Sequence, residues 1–143
     1  MQSFPHRYQV TATGDPSEKL SLESPGLQTL ESAAPVEFGG PGGKWSPETL
    51  LVAAVADCFL LTFRAIALAS RVPWIRLTCR VEGVLDRQDG VTRFTIFNIK
   101  AELIITQASD EKRALRLLDK AEKNCLITNS LAAHVNLLAV VTV

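Results

Sequence analysis

The segment from Ser46 to Ser70 constrains this chain most, because it predicts one long helix that is apolar on nearly every face. Ser46 and Pro47 mark its start, since a hydroxyl caps a first turn and proline suits the first helical position. Twenty-odd residues at about 1.5 Å each give a rod of roughly 35 Å, as long as a small domain is wide. A helix that is apolar all round is expected to be buried all round. A chain of 143 residues is short for covering such a rod, so the sequence predicts an obligate oligomer, a two-fold dimer with paired central helices.

The residues after Pro73 change to a period of two, which predicts a half-buried β-hairpin. Asp89-Gly90 is the turn signal between its two strands. The positions expected to face the core are Ile75, Leu77, Cys79 and Val81 on the first strand, and Val91, Phe97, Ile99, Ala101, Leu103 and Ile105 on the second.

A second helix and a last strand complete the pattern. Ser109 is expected to cap this helix, and residues 128–133 to form one short helical turn before a strand over 135–143. With short extended segments between residues 6 and 32, the order predicts an α+β fold, an antiparallel sheet packed on helices in a single domain over residues 1–143. The positions of the second helix expected to face the core are Leu118, Ala121 and Cys125.

Charge and composition exclude several classes of protein. Fifteen basic and fifteen acidic side chains give no net charge, which argues against a nucleic-acid binder and against a polybasic membrane-surface protein. The first residues show no secretory signal pattern. The longest apolar block, Leu50 to Phe63, contains Asp57 and is expected to be too short to span a membrane. The sequence therefore predicts a soluble cytoplasmic protein.

The remaining motifs exclude two kinds of site. The run EFGGPGGKWSPE lacks the residues that a phosphate-binding loop needs, so its glycines indicate a sharply bending loop before the helix. His6 and His134 belong to no metal-spaced cluster, so we expect no metal. Chemistry is left to the three cysteines, which are too few for a disulfide scaffold.

The cysteines differ in what their positions predict. Cys79 lies on the apolar face of a strand, where a thiol stays protonated. Cys58 lies in the middle of the apolar helix and Cys125 at the end of the second helix. Spacing alone leaves two interpretations of Cys58 open, a small buried hydrophobe or a reactive thiol. Phe59 and Phe63 are expected in the core, with the lining of a channel to Cys58 as the alternative.

Two segments, FGGPGGKWSPETLLVAAVADCFLLTF and KAEKNCLITNSL, resemble the OsmC/Ohr family of osmotically inducible proteins and organic hydroperoxide reductases. The likeness extends from the loop at Gly39 to the last strand. It implies an intertwined homodimer in which antiparallel sheets wrap two long central helices. It also implies a role in the oxidative-stress response.

The resemblance further implies thiol-dependent reduction of small organic hydroperoxides. Cys58 matches the peroxidatic residue, Cys125 the resolving residue, and Glu48 the glutamate that holds an arginine over the reactive sulfur. An external dithiol such as dihydrolipoamide would reopen the resulting disulfide, and no bound cofactor is implied. Apolar surroundings favour fatty or aromatic hydroperoxides over hydrogen peroxide.

Helix geometry adds a condition on Glu48. Ten positions separate it from Cys58, about 15 Å along a helix, so we expect Glu48 to reach the Cys58 of a second copy. The site would then form at the dimer interface.

Three features depart from the family pattern. Residues 14–24 hold no arginine, Leu126 replaces the usual proline, and Phe59-Leu60-Leu61 with Asp57 is the version found in less characterised branches of the family. The cations available near the N-terminus instead are Arg7, Lys19 and Lys44.

Two other classes of function remain open. In the first, the same dimer is a non-catalytic module that binds a small hydrophobic or thiol-bearing ligand in its apolar interface. In the second, both thiols only pack the core.

Overall fold

The computed structural model describes residues 1–17 and 19–143. The chain divides into two compact units, Met1–Leu50 and Leu51–Val143. The helices and strands, numbered in chain order, are β1 (Thr11–Gly14), β2 (Lys19–Glu23), β3 (Leu30–Ala33), α1 (Pro47–Ala69), β4 (Trp74–Gln88), β5 (Val91–Ile105), α2 (Glu111–Asn124), α3 (Leu126–Asn129) and β6 (His134–Thr142).

The first unit is built on a three-stranded antiparallel sheet in the order β1-β2-β3. It confirms the short extended segments expected before residue 33. The glycine-rich loop follows, and its backbone explains its composition. Gly39 has φ of 79°, and a Cβ on Gly40 would lie 1.7 Å from the carbonyl oxygen of Ala34. A larger residue at either position would force the loop to change.

Helix α1 begins where the sequence predicts. The Thr49 N–H donates to Ser46 Oγ at 3.1 Å, and the Ser46 N–H donates to Thr49 Oγ1 at 2.8 Å. This reciprocal pair satisfies two backbone donors at the first turn, where helices leave N–H groups without intrahelical partners. The predicted cap and the helix over Pro47–Ala69 are confirmed.

The second unit contains a sheet in the order β4-β5-β6. Asp89 and Gly90 both have positive φ, 51° and 78°, as a two-residue hairpin turn requires. β5 and β6, however, are parallel, so the expected wholly antiparallel sheet is wrong for this pair. The helices between them provide the long crossover that a parallel pair needs. The α+β fold class is confirmed.

The core of the second unit lies between one face of this sheet and helices α1 and α2. Phe59 and Phe63 are fully buried there, which confirms their predicted place in the core. The Phe63 ring also meets Trp74 edge to face at 5.5 Å. The other fully buried core residues include Val55 and Ala67 on α1, Phe97, Ala101 and Ile105 on β5, and Leu118, Ala121 and Cys125 near the end of α2.

Four local expectations need correction. Ile75 is 62% exposed because it is the extra residue of a bulge between Trp74 and Arg76. Val91 is also exposed, because it lies beside the hairpin turn. Ser109 belongs to a 3₁₀ turn that precedes α2 and does not cap it. The short helical turn begins at Leu126, two residues before the predicted segment.

Helix α1 is buried on one side only within this chain, so the expectation of complete burial is wrong for a single copy. Leu61 is 43% exposed and Leu68 80% exposed. By length and composition alone, α1 is long and apolar enough to cross a membrane, because the whole helix extends beyond the Leu50–Phe63 run and has a mean hydropathy of 2.0 over 18 residues. The central helix of a soluble protein meets the same criterion.

Candidate active site

Cys125 occupies the joint between helices α2 and α3. Its extended backbone, with φ of −67° and ψ of 106°, ends one helix and starts the next. Its carbonyl oxygen accepts hydrogen bonds from the Asn129 N–H at 3.0 Å and from Thr128 Oγ1 at 3.1 Å. Leu126 is therefore the first residue of α3, a position that suits proline but does not require it. The departure from the family proline leaves the joint intact.

Cys58 lies on α1 in the wall of an open groove of about 570 Å³. Its thiol is half-buried, and Thr62 Oγ1 lies 3.9 Å from its sulfur, one helical turn further on. Most of the lining is apolar, which suits an apolar ligand. The groove is lined on α1 by Ala54, Asp57, Cys58, Leu61, Thr62, Ala65 and Ile66, and opposite by Lys120, Asn124, Leu126 and Ile127.

The structure brings Cys58 and Cys125 together. Burial raises the pKa of the Cys125 thiol, hydrogen bonds from Thr128 act in the opposite direction, and the neighbouring Cys58 thiol adds to the increase. Both cysteines are free. Cys125 is fully buried, whereas Cys58 is open to the groove. A molecule entering the groove therefore meets the Cys58 sulfur first, with a second thiol beside it.

Cys79 is the third thiol of the second unit. Burial, and to a smaller extent the charge of Cys125, raises the pKa of Cys79 to about 11. This raised pKa agrees with the prediction that the Cys79 thiol stays protonated near neutral pH.

Glu48 and the N-terminal cations Arg7, Lys19 and Lys44 belong to the first unit. One carboxylate oxygen of Glu48 is buried and has no hydrogen-bond partner in the described part of the chain. Lys19 and Lys44 both pair with Glu31, at 3.1 and 2.5 Å. The hydrogen bond from Lys44, followed by that from Lys19, lowers the pKa of Glu31 to about 2. Arg7 lies in an exposed segment.

Sequence reasoning missed Lys120 and Asn124, which line the groove opposite Cys58. A signal existed, because Lys120 and Asn124 lie one helical turn apart just before Cys125. Its relevance depended on knowing that α2 ends against α1. Among residues 1–17 and 19–143, no group of three or more His, Cys, Asp or Glu side chains could hold a metal ion.

Comparison with known proteins assigns the family. The sequence pattern of OsmC-like proteins matches residues 40–138, so this chain belongs to the OsmC-like protein family. The uncharacterized protein YmaD of Bacillus subtilis is 28% identical over 137 residues, covering 92% of this chain and 91% of YmaD.

Solved structures show the same fold. An OsmC-like protein of unknown function from Vibrio cholerae superposes with a TM-score of 0.86 at 20% identity, over 95% of this chain and 100% of its own. An organic hydroperoxide resistance protein OsmC from Legionella pneumophila superposes with a TM-score of 0.72 at 26% identity, over 97% of this chain and 100% of its own. The shared fold is of the α+β class, and the solved structures that have it include an organic hydroperoxide resistance protein named OsmC.

Proposed function

We propose that this chain is a cytoplasmic thiol peroxidase that reduces organic hydroperoxides. Cys58 is the peroxidatic residue and Cys125 the resolving residue. One observation carries the proposal: a groove-facing thiol has a second, buried thiol as its neighbour. The hydroperoxide resistance protein of Legionella pneumophila, at 26% identity, supports the same activity.

The difference in access between the two thiols sets their order of reaction. The Cys58 thiolate attacks the distal oxygen of the hydroperoxide, the O–O bond breaks, and the departing alkoxide takes a proton to become an alcohol. Cys58 is left as a sulfenic acid. The Cys125 sulfur then attacks the Cys58 sulfur, a disulfide forms, and water leaves. An external dithiol such as dihydrolipoamide reduces the disulfide and restores both thiols.

The raised pKa of Cys125 fits the resolving role. A buried thiol that holds its proton reacts slowly with peroxide. Once Cys58 is oxidised, the Cys125 sulfur can attack the electrophilic sulfur of the neighbouring sulfenic acid, because a sulfenic acid condenses with a nearby thiol. The apolar lining of the groove favours hydroperoxides with a hydrocarbon body over hydrogen peroxide.

A count of free thiols tests this function. Reduced protein is mixed with one equivalent of cumene hydroperoxide, and with hydrogen peroxide as a comparison, before the free thiols are titrated. We expect loss of two of the three thiols per chain, faster with cumene hydroperoxide. Cys58→Ser should abolish the loss, and Cys79→Ser should leave it unchanged. Three thiols remaining after prolonged exposure would favour the alternative, a non-catalytic module that binds a hydrophobic or thiol-bearing ligand.

The proposal includes a homodimer with Glu48 at its interface. The exposed apolar side chains of α1 outside the groove, Leu68 among them, need a cover that this chain does not provide. A buried carboxylate oxygen without a partner is costly, so Glu48 supports a cation or donor contributed from outside the chain. In the dimer, Glu48 serves the Cys58 of the second copy.

Subunit exchange tests this arrangement. Homodimers of Glu48→Gln and of Cys58→Ser are each expected to be inactive. Mixing them produces heterodimers with one site that has both residues, and partial peroxidase activity should return. If activity stays absent although heterodimers are present, Glu48 does not act across the interface.

A further inference from the structure

A peroxidatic thiol needs positive charge nearby, because its thiolate is the reactive form. The N-terminal dipole of α1 does not provide it, since that effect fades within the first turn and Cys58 lies eleven residues after Pro47. The N-terminal lysines do not provide it either, because Lys19 and Lys44 are both engaged by Glu31. A basic side chain of the second unit can provide this charge instead.

Of the residues that the structure describes, Lys120 is the one basic residue that lines the Cys58 groove. It lies on the last turns of α2, whose buried face, including Leu117 and Ala121, fixes the helix on the core. Asn124 Nδ2 donates to the Lys120 carbonyl oxygen at 2.8 Å, which ties the backbone of this turn together. None of the ion pairs found in residues 1–17 and 19–143 includes Lys120.

We propose that Lys120 is the electrostatic positioning residue of Cys58, with its ammonium group favouring negative charge on the Cys58 sulfur across the groove. This inference rests on the proposed function and names the cation of that same site. The other ionisable groups of the groove are Asp57, beside Cys58 on α1, and Cys125 behind it. Asp57 opposes the effect of Lys120, so the two variants should shift Cys58 reactivity in opposite directions.

The test follows the alkylation of Cys58 by iodoacetamide as a function of pH, in a Cys79→Ala, Cys125→Ser background where Cys58 is the one thiol. The reagent is uncharged, so its own attraction to a charged residue does not contribute. Lys120→Met should lower the alkylation rate at pH 7 about two- to fivefold, as expected for a solvent-exposed charge, and move the midpoint of the pH profile upward.

Three companion variants isolate the charge. Lys120→Arg should restore the parent rate, and Asp57→Asn should increase it. Lys123→Met removes an exposed lysine of the same turn that does not line the groove, and should have no effect. The effect of Lys120→Met should also shrink as salt is raised, because the Debye length is only about 8 Å at 0.15 M.

Two results would overturn the inference: an unchanged profile in Lys120→Met, or an equal fall in Lys123→Met. Circular dichroism of each variant shows whether it is folded, and Lys120→Arg keeps the test valid if Lys120→Met is not. Alkylation requires no peroxide turnover, so these results are independent of the thiol count that tests the peroxidase function.

Discussion

The two sides of helix α1 are both largely apolar in sequence, and their environments are entirely different. One side, defined by Val55, Phe59, Phe63 and Ala67 at intervals of four, is fully buried against the sheet. The other carries Cys58 and Leu61 in the groove wall and the exposed Leu68. Apolar character on the first side serves folding. On the second it is available for binding, and the reactive thiol is placed there.

Truncating a side chain on the buried side of α1 should reduce the stability of the protein more than any other change considered below. Phe59→Ala removes a fully buried ring from a packed core, and should lower the free energy of unfolding by about 3–5 kcal/mol. Urea denaturation measures the change, with the exposed Thr78→Ala as a control expected within about 0.5 kcal/mol. A loss below about 1 kcal/mol in Phe59→Ala would mean that this side of α1 is not the core side.

A substitution at the contact between α1 and the β4–β5 hairpin should lower the free energy of unfolding almost as much as Phe59→Ala. A Cβ on Gly83 would lie 2.8 Å from both Val52 Cγ2 on α1 and Phe94 Cε1 on β5. Gly83→Ala should therefore lower the free energy of unfolding by about 1–3 kcal/mol, as overpacking does. Gly83→Ala combined with Val52→Ala should recover part of this loss if the clash is its cause. Equal stability of Gly83→Ala and the parent protein would contradict the packing of α1 on β4.

Cys79, on strand β4, should make the free energy of unfolding depend on pH. Its folded pKa is raised from 9.0 to about 11, so the folded chain holds this proton more tightly than the unfolded chain. The Cys79 thiol therefore makes no pH-dependent contribution to the free energy of unfolding well below pH 9. As pH rises from about 9 to 11, the free energy of unfolding should fall. The slope should stay below about 1.4 kcal/mol per pH unit. The free energy of unfolding, measured by denaturation at several pH values between 9 and 11, should change less with pH for Cys79→Ala than for the parent protein.

The smallest effect is expected on the groove side. Leu61→Ala removes apolar surface that is already 43% exposed, so the unfolding free energy should change by less than about 1 kcal/mol. The loss should appear in substrate binding, as an increase of about two- to fivefold in the KM for cumene hydroperoxide with kcat retained. Hydrogen peroxide, which has no hydrocarbon body, provides the control reaction. A large stability loss with an unchanged KM would erase the distinction between the two sides.

Local features of the fold were readable from the sequence, and contacts between distant segments were not. The Ser46 cap and the Asp89-Gly90 turn are set by neighbouring residues, so their patterns predict them directly. The parallel pairing of β5 with β6 depends on how α2 crosses the sheet, which alternation of residues does not encode. Ile75 shows the same limit on a smaller scale, because a bulge overrides its alternation.

The residues of the candidate site also fall into those that the sequence predicted and those that it did not. Cys58 and Cys125 were predicted as a pair because each lies in a sequence motif that resembles the family. Lys120 was missed because its nearness to Cys58 arises only when the end of α2 meets α1. The apolar pattern of α1 did not separate its core side from its groove side, since apolar residues predominate on both and Asp57 and Thr62 are the few polar residues of the groove side.

If Cys58 and Cys125 are partners in one redox reaction, peptide mapping should find them joined. After one equivalent of cumene hydroperoxide, unreduced protein is digested with trypsin, which places Cys58 in peptide 45–64, Cys79 in 77–80 and Cys125 in 124–143. We expect peptides 45–64 and 124–143 to become linked by a disulfide that dithiothreitol releases, while 77–80 stays free. A disulfide that includes 77–80 instead, or free peptides throughout, would contradict this expectation.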